Sequence, residues 1–305
     1  MPSLLIATAD GIRRLGDGAT SPAGSVQLSG QEVTGLASEG PGLWATVDGE
    51  SLWRSADGTA WQHEAGAEGL RANCVSAGPA GVLVGTSEAH LLRFEDGTLR
   101  IVPSFDEVDG RAEWYTPWGG PPDSRSISQE PSGTAYVNVH VGGIVRSADG
   151  GQTWEPTIDI HADVHQVLAR LDRPGGVLAA TARGLALSDD AGETWAFRTE
   201  GLHATYLRAV AVSGEHVLVS ASTGPRGGRA AIYRLPLDGD AGFERCSDGL
   251  PEWFSGNIDT FCLAGSEEGA AFASPDGSLF VSRDQGATWE LVLEGLSSVR
   301  ALIFA

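Results

Sequence analysis

The feature that most constrains this chain is a turn that it writes four times. Ser147-Ala148-Asp149-Gly150-Gly151-Gln152-Thr153-Trp154 recurs 41 residues on as Ser188-Asp189-Asp190-Ala191-Gly192-Glu193-Thr194-Trp195. It recurs again as Ser282-Arg283-Asp284-Gln285-Gly286-Ala287-Thr288-Trp289, and one residue shorter as Ser55-Ala56-Asp57-Gly58-Thr59-Ala60-Trp61. The wider intervals, 92 residues from Ser55 to Ser147 and 94 from Ser188 to Ser282, each span two units. Degenerate copies of the turn lie between, at Glu95-Asp96-Gly97 and Leu237-Asp238-Gly239-Asp240. A fixed period of this size marks a repeat architecture. The turn's chemistry is local: Asp accepts from turn amides, Gly supplies positive φ and the Thr hydroxyl satisfies another turn group. The Trp packs across its hairpin. These aspartates therefore read as structural and not as catalytic carboxylates.

Upstream of each turn sit two short strands of small and β-branched residues, as in Gly176–Thr181 and Gly184–Ser188. Upstream again is an inner strand with one shared pattern, a polar residue followed by small and apolar ones. It reads Thr34-Gly35-Leu36-Ala37, Asn73-Cys74-Val75-Ser76, Arg125-Ser126-Ile127-Ser128 and His165-Gln166-Val167-Leu168. It continues as Arg208-Ala209-Val210-Ala211, Asp259-Thr260-Phe261-Cys262 and Arg300-Ala301-Leu302-Ile303. Seven inner strands predict an all-β chain, a single seven-bladed β-propeller of four-stranded blades over residues 1–305, with small residues where blades crowd. The strand near 299–304 has no outer strands after it, and the N-terminal segment Leu4–Leu28 has no inner strand before it. The pattern predicts that the C-terminal strand completes the N-terminal blade, which removes two exposed sheet edges.

Composition narrows the function classes. Gly is 42 of 305 residues, about twice the usual share near 7%, and its spread marks many tight turns. The formal charge is −20 and there is no lysine, so every cation is an arginine. Such a surface argues against nucleic acid or anionic membrane as the main partner. Cys74, Cys246 and Cys262 form no CxxC motif, and their odd number reads as isolated buried thiols in a reducing compartment. Met1-Pro2 leads into Leu4-Leu5-Ile6-Ala7 with no basic segment and no long apolar stretch. That pattern predicts neither a signal peptide nor a membrane span and places the protein in the cytoplasm.

In a propeller the loops entering the inner strands share one face with the loops joining second and third strands. Two rings of residues are expected there. The leading positions are Thr34, Asn73, Arg125, His165, Arg208, Asp259 and Arg300; the second-strand ends are Thr8, Asp48, Ser87, His140 and Thr181, with Ser222 nearby. Three of the seven leading positions are arginine. Arg125, Arg208 and Arg300 could clamp a carboxylate or phosphate, or could pair with Asp123, Asp163 or Asp259. His165, with His140 or Asp259, supplies an acid–base candidate, while His140, His165, His203 and Asp163 are the candidate ligands of a divalent metal. No HxH or HExxH spacing supports the metal. Two longer segments, 103–124 and 247–258, bring Trp118, Asp123 and Trp253 to the same mouth as wall or lid; with Asn73 they complete the ligand-binding candidates.

The repeats resemble the Asp-box (BNR-repeat) β-propeller superfamily, which includes sialidases, xyloglucanases, sortilin-type receptor domains and plant-type photosystem assembly factors. The stretch Trp114–Arg125, with Asn138-Val139-His140-Val141-Gly142-Gly143 and Asp163-Val164-His165-Gln166-Val167, looks like bacterial BNR-repeat proteins labelled sialidase-like or glycosyl-hydrolase-like. Sialidases carry an arginine triad, but this chain lacks their N-terminal Arg motif and reads as seven blades, not six, which argues against that activity. Xyloglucanases pair two propellers, an arrangement from which this single short one departs. Three functions stay open at this point. The first is an axial site for a small anionic ligand with hydrolase or lyase chemistry. The second is a non-catalytic scaffold for a protein partner. The third is a carbohydrate hydrolase using two of Asp123, Asp163 and Asp259.

Overall fold

A computed structural model describes residues 2–16, 25–39, 42–117 and 119–305. The chain is an all-β, seven-bladed propeller of antiparallel sheets. Blade 1 joins Val299–Phe304 to Leu4–Thr8 and Gly11–Leu15, with Gln27 bridging Ile12 at its outer side. Blade 2 holds Val33–Glu39, Gly42–Val47, Ser51–Ser55 and Gln62–Gly66; blade 3 holds Ala72–Gly78, Gly81–Thr86, Leu91–Glu95 and Thr98–Ile101. Blade 4 is Ser124–Gln129, Ala135–Val139, Gly143–Ser147 and Glu155–Pro156; blade 5 is Val164–Ala169, Val177–Thr181, Gly184–Ser188 and Ala196–Arg198. Blade 6 is Tyr206–Ser213, His216–Ser222, Ala231–Pro236 and Glu244–Arg245; blade 7 is Leu263–Ser266, Gly269–Ala273, Leu279–Ser282 and Glu290–Leu293. Among the described residues no helix is long and apolar enough to cross a membrane.

The register explains the repeat. Second strands such as Ala135–Val139, Val177–Thr181 and Gly269–Ala273 are buried at every position, because neighbouring sheets cover both faces. They therefore read as continuous apolar runs and not as alternating ones. Fourth strands are short and mostly exposed, as Glu155–Pro156 and Glu244–Arg245 show. The C-terminal strand pairs antiparallel with Leu4–Thr8, from Leu4 opposite Phe304 to Thr8 opposite Val299, as the sequence predicts. One inner strand departs from expectation. In blade 7 the strand begins at Leu263, and Asp259–Cys262 forms a turn closed by the Cys262 amide donating to the Asp259 carbonyl at 2.9 Å. Phe261 sits there at φ 63°, a left-handed conformation no strand accommodates.

The described chain groups into two compact units. One comprises Met1–Gln31, Ala180–Leu185 and Phe197–Ala305 and so carries blades 1, 6 and 7; the other comprises Glu32–Ala179 and Ala186–Ala196 and carries blades 2, 3 and 4 with most of blade 5. In each, the core lies between neighbouring sheets. In the first unit, Leu218, Ile232, Phe254, Phe272 and Trp289 pack between blades 6 and 7. In the second, Tyr136, Ile144, Val164, Val167 and Val177 pack between blades 4 and 5.

The recurring turns are satisfied from within. The Ser147 hydroxyl accepts from the Gly151 amide at 2.8 Å and donates to Asp149, whose carboxylate accepts from the amides of Gln152 and Thr153. The Thr153 hydroxyl donates back to Asp149 at 2.6 Å. Asp190 and Asp284 repeat the scheme with Thr194 and Thr288. The hydroxyl thus serves the carboxylate itself. Hydrogen bonds from Thr153 and its amide hold the exposed Asp149 carboxyl down at about 2.

Candidate functional site

The leading polar residue of five inner strands has a structural cause: it is the bulge. Register shifts fall between Val33 and Gly35, Ala72 and Cys74, Ser124 and Ser126, and Leu207 and Val210. In blade 1, Ala7 faces Ala301 while Thr8 faces Val299. The positions that the register skips are Thr34, Asn73, Arg125, Arg208 with Ala209, and Arg300. A bulge re-aims its side chain out of the pleat, so a polar group there escapes the packed interface between sheets.

The second set of positions mostly bond nearby backbone, within their own turns or on the segment that leads into the inner strand. The Thr8 and Thr181 hydroxyls donate to the carbonyls of Gly11 and Gly184, Asp48 accepts from the Glu32 amide, and Ser87 accepts from the Arg71 amide. His140 is different. It follows the second strand of blade 4, and its Nε2 lies 3.5 Å from Oδ1 of Asp163. Asp163 precedes the inner strand of blade 5, and its Oδ2 lies 3.7 Å from Nε2 of His165. His140 is 3% exposed and His165 0%, so one carboxylate lies within ion-pair range of two buried imidazoles. Such a set can hold one imidazolium against the carboxylate and keep the other ring as a base.

Asn138 belongs to the same place by register. It pairs with Ser126 on one side and Ile144 on the other. Ser126 accepts from the Val167 amide of blade 5 and Ile144 belongs to the apolar layer against that blade, so this face, Asn138 included, meets the His165 strand. Asn138 is fully buried, and neither its amide nitrogen nor its oxygen finds a hydrogen-bond partner within the protein. The Ser124 hydroxyl, likewise buried, has none either.

The backbone around the pair is strained. Val141 has φ 46° and Asp163 φ 50°. A β-branched residue is a genuine outlier there. The turn is also tight: a Cβ on Gly142 would meet Val139 Cγ1 at 2.5 Å, and one on Gly143, at φ 77°, would meet the Ile158 carbonyl at 2.6 Å.

Asp123 and Arg125 flank this region, since the His140 amide donates to the Asp123 carbonyl at 2.9 Å. Burial pushes the Asp123 carboxyl up, and Arg125, Asn73 and Arg71 beside it pull partly the other way. In the other unit, Arg208 Nε donates to Asp259 at 2.8 Å, so this arginine is held by a carboxylate. Arg300 stands at the bulge of blade 1. His203 accepts or donates at Tyr233 Oη, 2.8 Å away, and its ring lies 4.7 Å from that of Trp253. Among the described residues no three His, Cys, Asp or Glu side chains form a group that could hold a metal ion.

The two long segments differ in role. In 103–124, Phe105 is buried against Trp114 and Trp154, so the segment's first aromatics cap a blade edge. Tyr115 is exposed, and Trp118 lies outside the described residues. In 247–258, Phe254 bridges to Ala230 and brings Trp253 over blade 6. Asp163, His140, His165, Trp253 and His203 are candidates from the sequence, whereas Asn138, Arg229, Arg245 and Tyr233 come into view only with the structure. The signal for Asn138 was present: a polar residue two positions before His140 in an otherwise apolar second strand.

No protein-family model matches the chain, and no curated protein matches it. Solved structures do. The GH74 xyloglucanase from Xanthomonas campestris matches with a TM-score of 0.61 at 18% identity, over 86% of this chain and 45% of its own. YCF48 bound to D1 peptide matches with a TM-score of 0.59 at 17% identity, over 93% of this chain and 85% of its own. The WD40 repeats of RRP9 match with a TM-score of 0.63 at 13% identity, over 90% and 84%. The chain spans less than half the length of the GH74 enzymes it matches. At these identities the likeness concerns the fold alone.

Proposed function

We propose that this chain binds a small anionic molecule, a carboxylate or phosphate, and exchanges a proton with it at the His140–Asp163–His165 cluster. The observation that carries the reading is Asn138, a fully buried amide with no partner in the protein, on the face that meets the strand of His165. A buried amide left unmade costs about 1–3 kcal/mol, so its retention favours a ligand that supplies both an acceptor and a donor. In this reading Asn138 orients the ligand, and Arg125 on the same blade supplies positive charge. His165 and His140 give and take the proton, and Asp163 stabilises the imidazolium. Hydrolysis and elimination both need such a step. Membership of the Asp-box propellers is part of the proposal, supported by the four Ser–Asp–Thr turns. A cytoplasmic location is supported by three buried free thiols.

The test is a thermal-shift screen of carboxylates and phosphomonoesters on the intact protein, repeated on His165→Gln and Asn138→Leu. A compound that raises the melting temperature of the parent and of neither variant supports the site. Hits that stabilise all three equally sink it.

A second reading, a scaffold for a protein partner, is favoured by one observation: Arg208 and Asp259 already satisfy each other. YCF48, solved with a bound peptide, is a propeller of this shape. On that reading the small-molecule screen yields nothing, and a purified partner raises the melting temperature of parent and Asn138→Leu alike.

A further inference from the structure

A different set of residues, in the unit of blades 1, 6 and 7, has chemistry that the histidine cluster does not use. The Arg245 guanidinium lies 4.0 Å from the centroid of the Trp253 ring, and that of Arg229 lies 4.9 Å from the same ring. Each gains from the ring's negative face, yet two like charges gathered on one indole repel. Among the described residues neither has a carboxylate partner, although the chain holds twice as many acids as arginines. The neighbouring acid is taken: Glu244, next to Arg245, pairs with Arg234 at 2.7 Å. Elsewhere pairing is the habit, as at Arg146, Arg208 and Arg283. The Arg245 Nε is buried and donates to nothing.

The scaffold under these arginines is fixed in advance. Gly227, Gly228 and Arg229 are successive residues at φ 72°, 100° and 51°, so Arg229 is held in a conformation that a side chain rarely adopts. The loop that contains them is pinned to the 247–258 segment. The Phe254 amide donates to the Ala230 carbonyl at 2.9 Å, and Asn257 Nδ2 donates to the Pro225 carbonyl at 3.2 Å. His203 lies against Trp253 and contacts Tyr233 Oη. Burial pushes its imidazole below the usual histidine value, opposed by a hydrogen bond with the Arg229 backbone and aided by the charges of Arg245 and Arg229.

We propose that Arg229 and Arg245, braced on Trp253, form a second binding site, for a phosphate group. A planar carboxylate is saturated by a single guanidinium fork, whereas two forks and a charge of two suit a tetrahedral dianion with more oxygens. The chemistry is shared by free phosphate and phosphate monoesters. This proposal does not rest on the histidine cluster.

The experiment is calorimetric titration of the whole protein with inorganic phosphate, at ionic strength held constant with sodium chloride. It is paired with the Arg Nε–H signals in ¹⁵N–¹H spectra and followed by glycerol phosphate as the monoester arm. Saturable binding is expected, with a shift of the Arg245 Nε–H signal. Arg229→Gln and Arg245→Gln should each weaken the binding seen at this site by about tenfold, the loss of one charge-assisted fork, and the Arg245 Nε–H shift should persist in Asn138→Leu, which removes only phosphate held at the histidine site. Arg229 is exposed, so Arg229→Gln carries the test even if Arg245→Gln fails to fold. Tighter glycerol phosphate identifies a monoester as the ligand, and tighter inorganic phosphate identifies the free ion; both support the site. The proposal is overturned by no saturable heat at millimolar phosphate, by a shift that sodium chloride reproduces, or by an Arg245 Nε–H shift that is lost in Asn138→Leu and kept in Arg229→Gln.

Discussion

Replacing Asn138 by Leu tests the central step of the functional reading, because Leu has the same branched heavy-atom skeleton without the polar atoms. In the parent protein the amide is 0% exposed and has no partner, beside Ile144 on the paired strand. Removing an unsatisfied buried group recovers about 1–3 kcal/mol, and replacing it by an apolar one of like shape adds no new orphan. A central value of about 2 kcal/mol can be converted to temperature. Unfolding entropy of about 2.1 cal/mol/K per residue over 305 residues gives about 0.64 kcal/mol/K, so Asn138→Leu should melt about 3 °C higher. The same change should abolish the response to any ligand of the histidine site. Differential scanning calorimetry without ligand is the direct assay. A melting temperature lowered by several degrees would mean that the amide is well bonded in solution, and the argument from its isolation would fall.

Three further outcomes follow from the fold. Ser147→Ala removes the acceptor of the buried Gly151 amide and should cost about 2 kcal/mol, or about 3 °C by the same conversion; an unchanged melting temperature would show that water replaces the hydroxyl freely. Deleting Ser298–Ala305 strips Leu4–Thr8 of its paired strand and of buried Ala301 and Leu302, a loss comparable to a typical total stability of about 5–15 kcal/mol. No cooperative melting transition is expected, and a native-like melt would refute closure by this strand. Asp149 is held at about 2 in the folded state, below the ordinary value of about 3.9, so its stabilising effect is full above about pH 4 and is lost as pH falls through its folded value. Asp149→Asn should flatten the acid side of the melting-temperature profile, and an identical profile would count against the carboxylate's role.

What the sequence made legible is what hydrogen bonding settles within one hairpin. The Ser147–Trp154 turn and its copies are self-contained, so their residues repeat and can be counted. The leading polar positions repeated for a reason the sequence did not state: Thr34, Asn73, Arg125, Arg208 and Arg300 are bulge residues, and their likeness reports backbone register before it reports function. Contacts between blades were not legible. Arg208 reaches Asp259 across 51 residues of sequence, and nothing in either local pattern says that they meet. Arg245 lies on a two-residue outer strand, where the pattern is weakest. The inner strand of blade 7 starts later than its sequence pattern suggests, because Phe261 fits an apolar strand position in sequence while its backbone is left-handed.

The strain in the recurring turns differs in kind from the strain around the histidine pair. Each recurring turn satisfies its own carboxylate, hydroxyl and amides, and its positive-φ positions fall largely on glycine or exposed polar residues. Around His140 and Asp163 the pattern reverses. Val141, 3% exposed and β-branched, and Asp163 both occupy the left-handed region, at about 1–3 kcal/mol each. Asn138 adds an orphan amide a few residues away. A propeller blade needs none of these features, since the corresponding second-strand ends at Thr8 and Thr181 close the same kind of turn with one hydroxyl each. Left-handed side-chain-bearing residues occur elsewhere too, at Phe261 and Arg229, but beside His140 and Asp163 they coincide with a fully buried orphan amide. That coincidence supports the proposal that the histidine pair is the site.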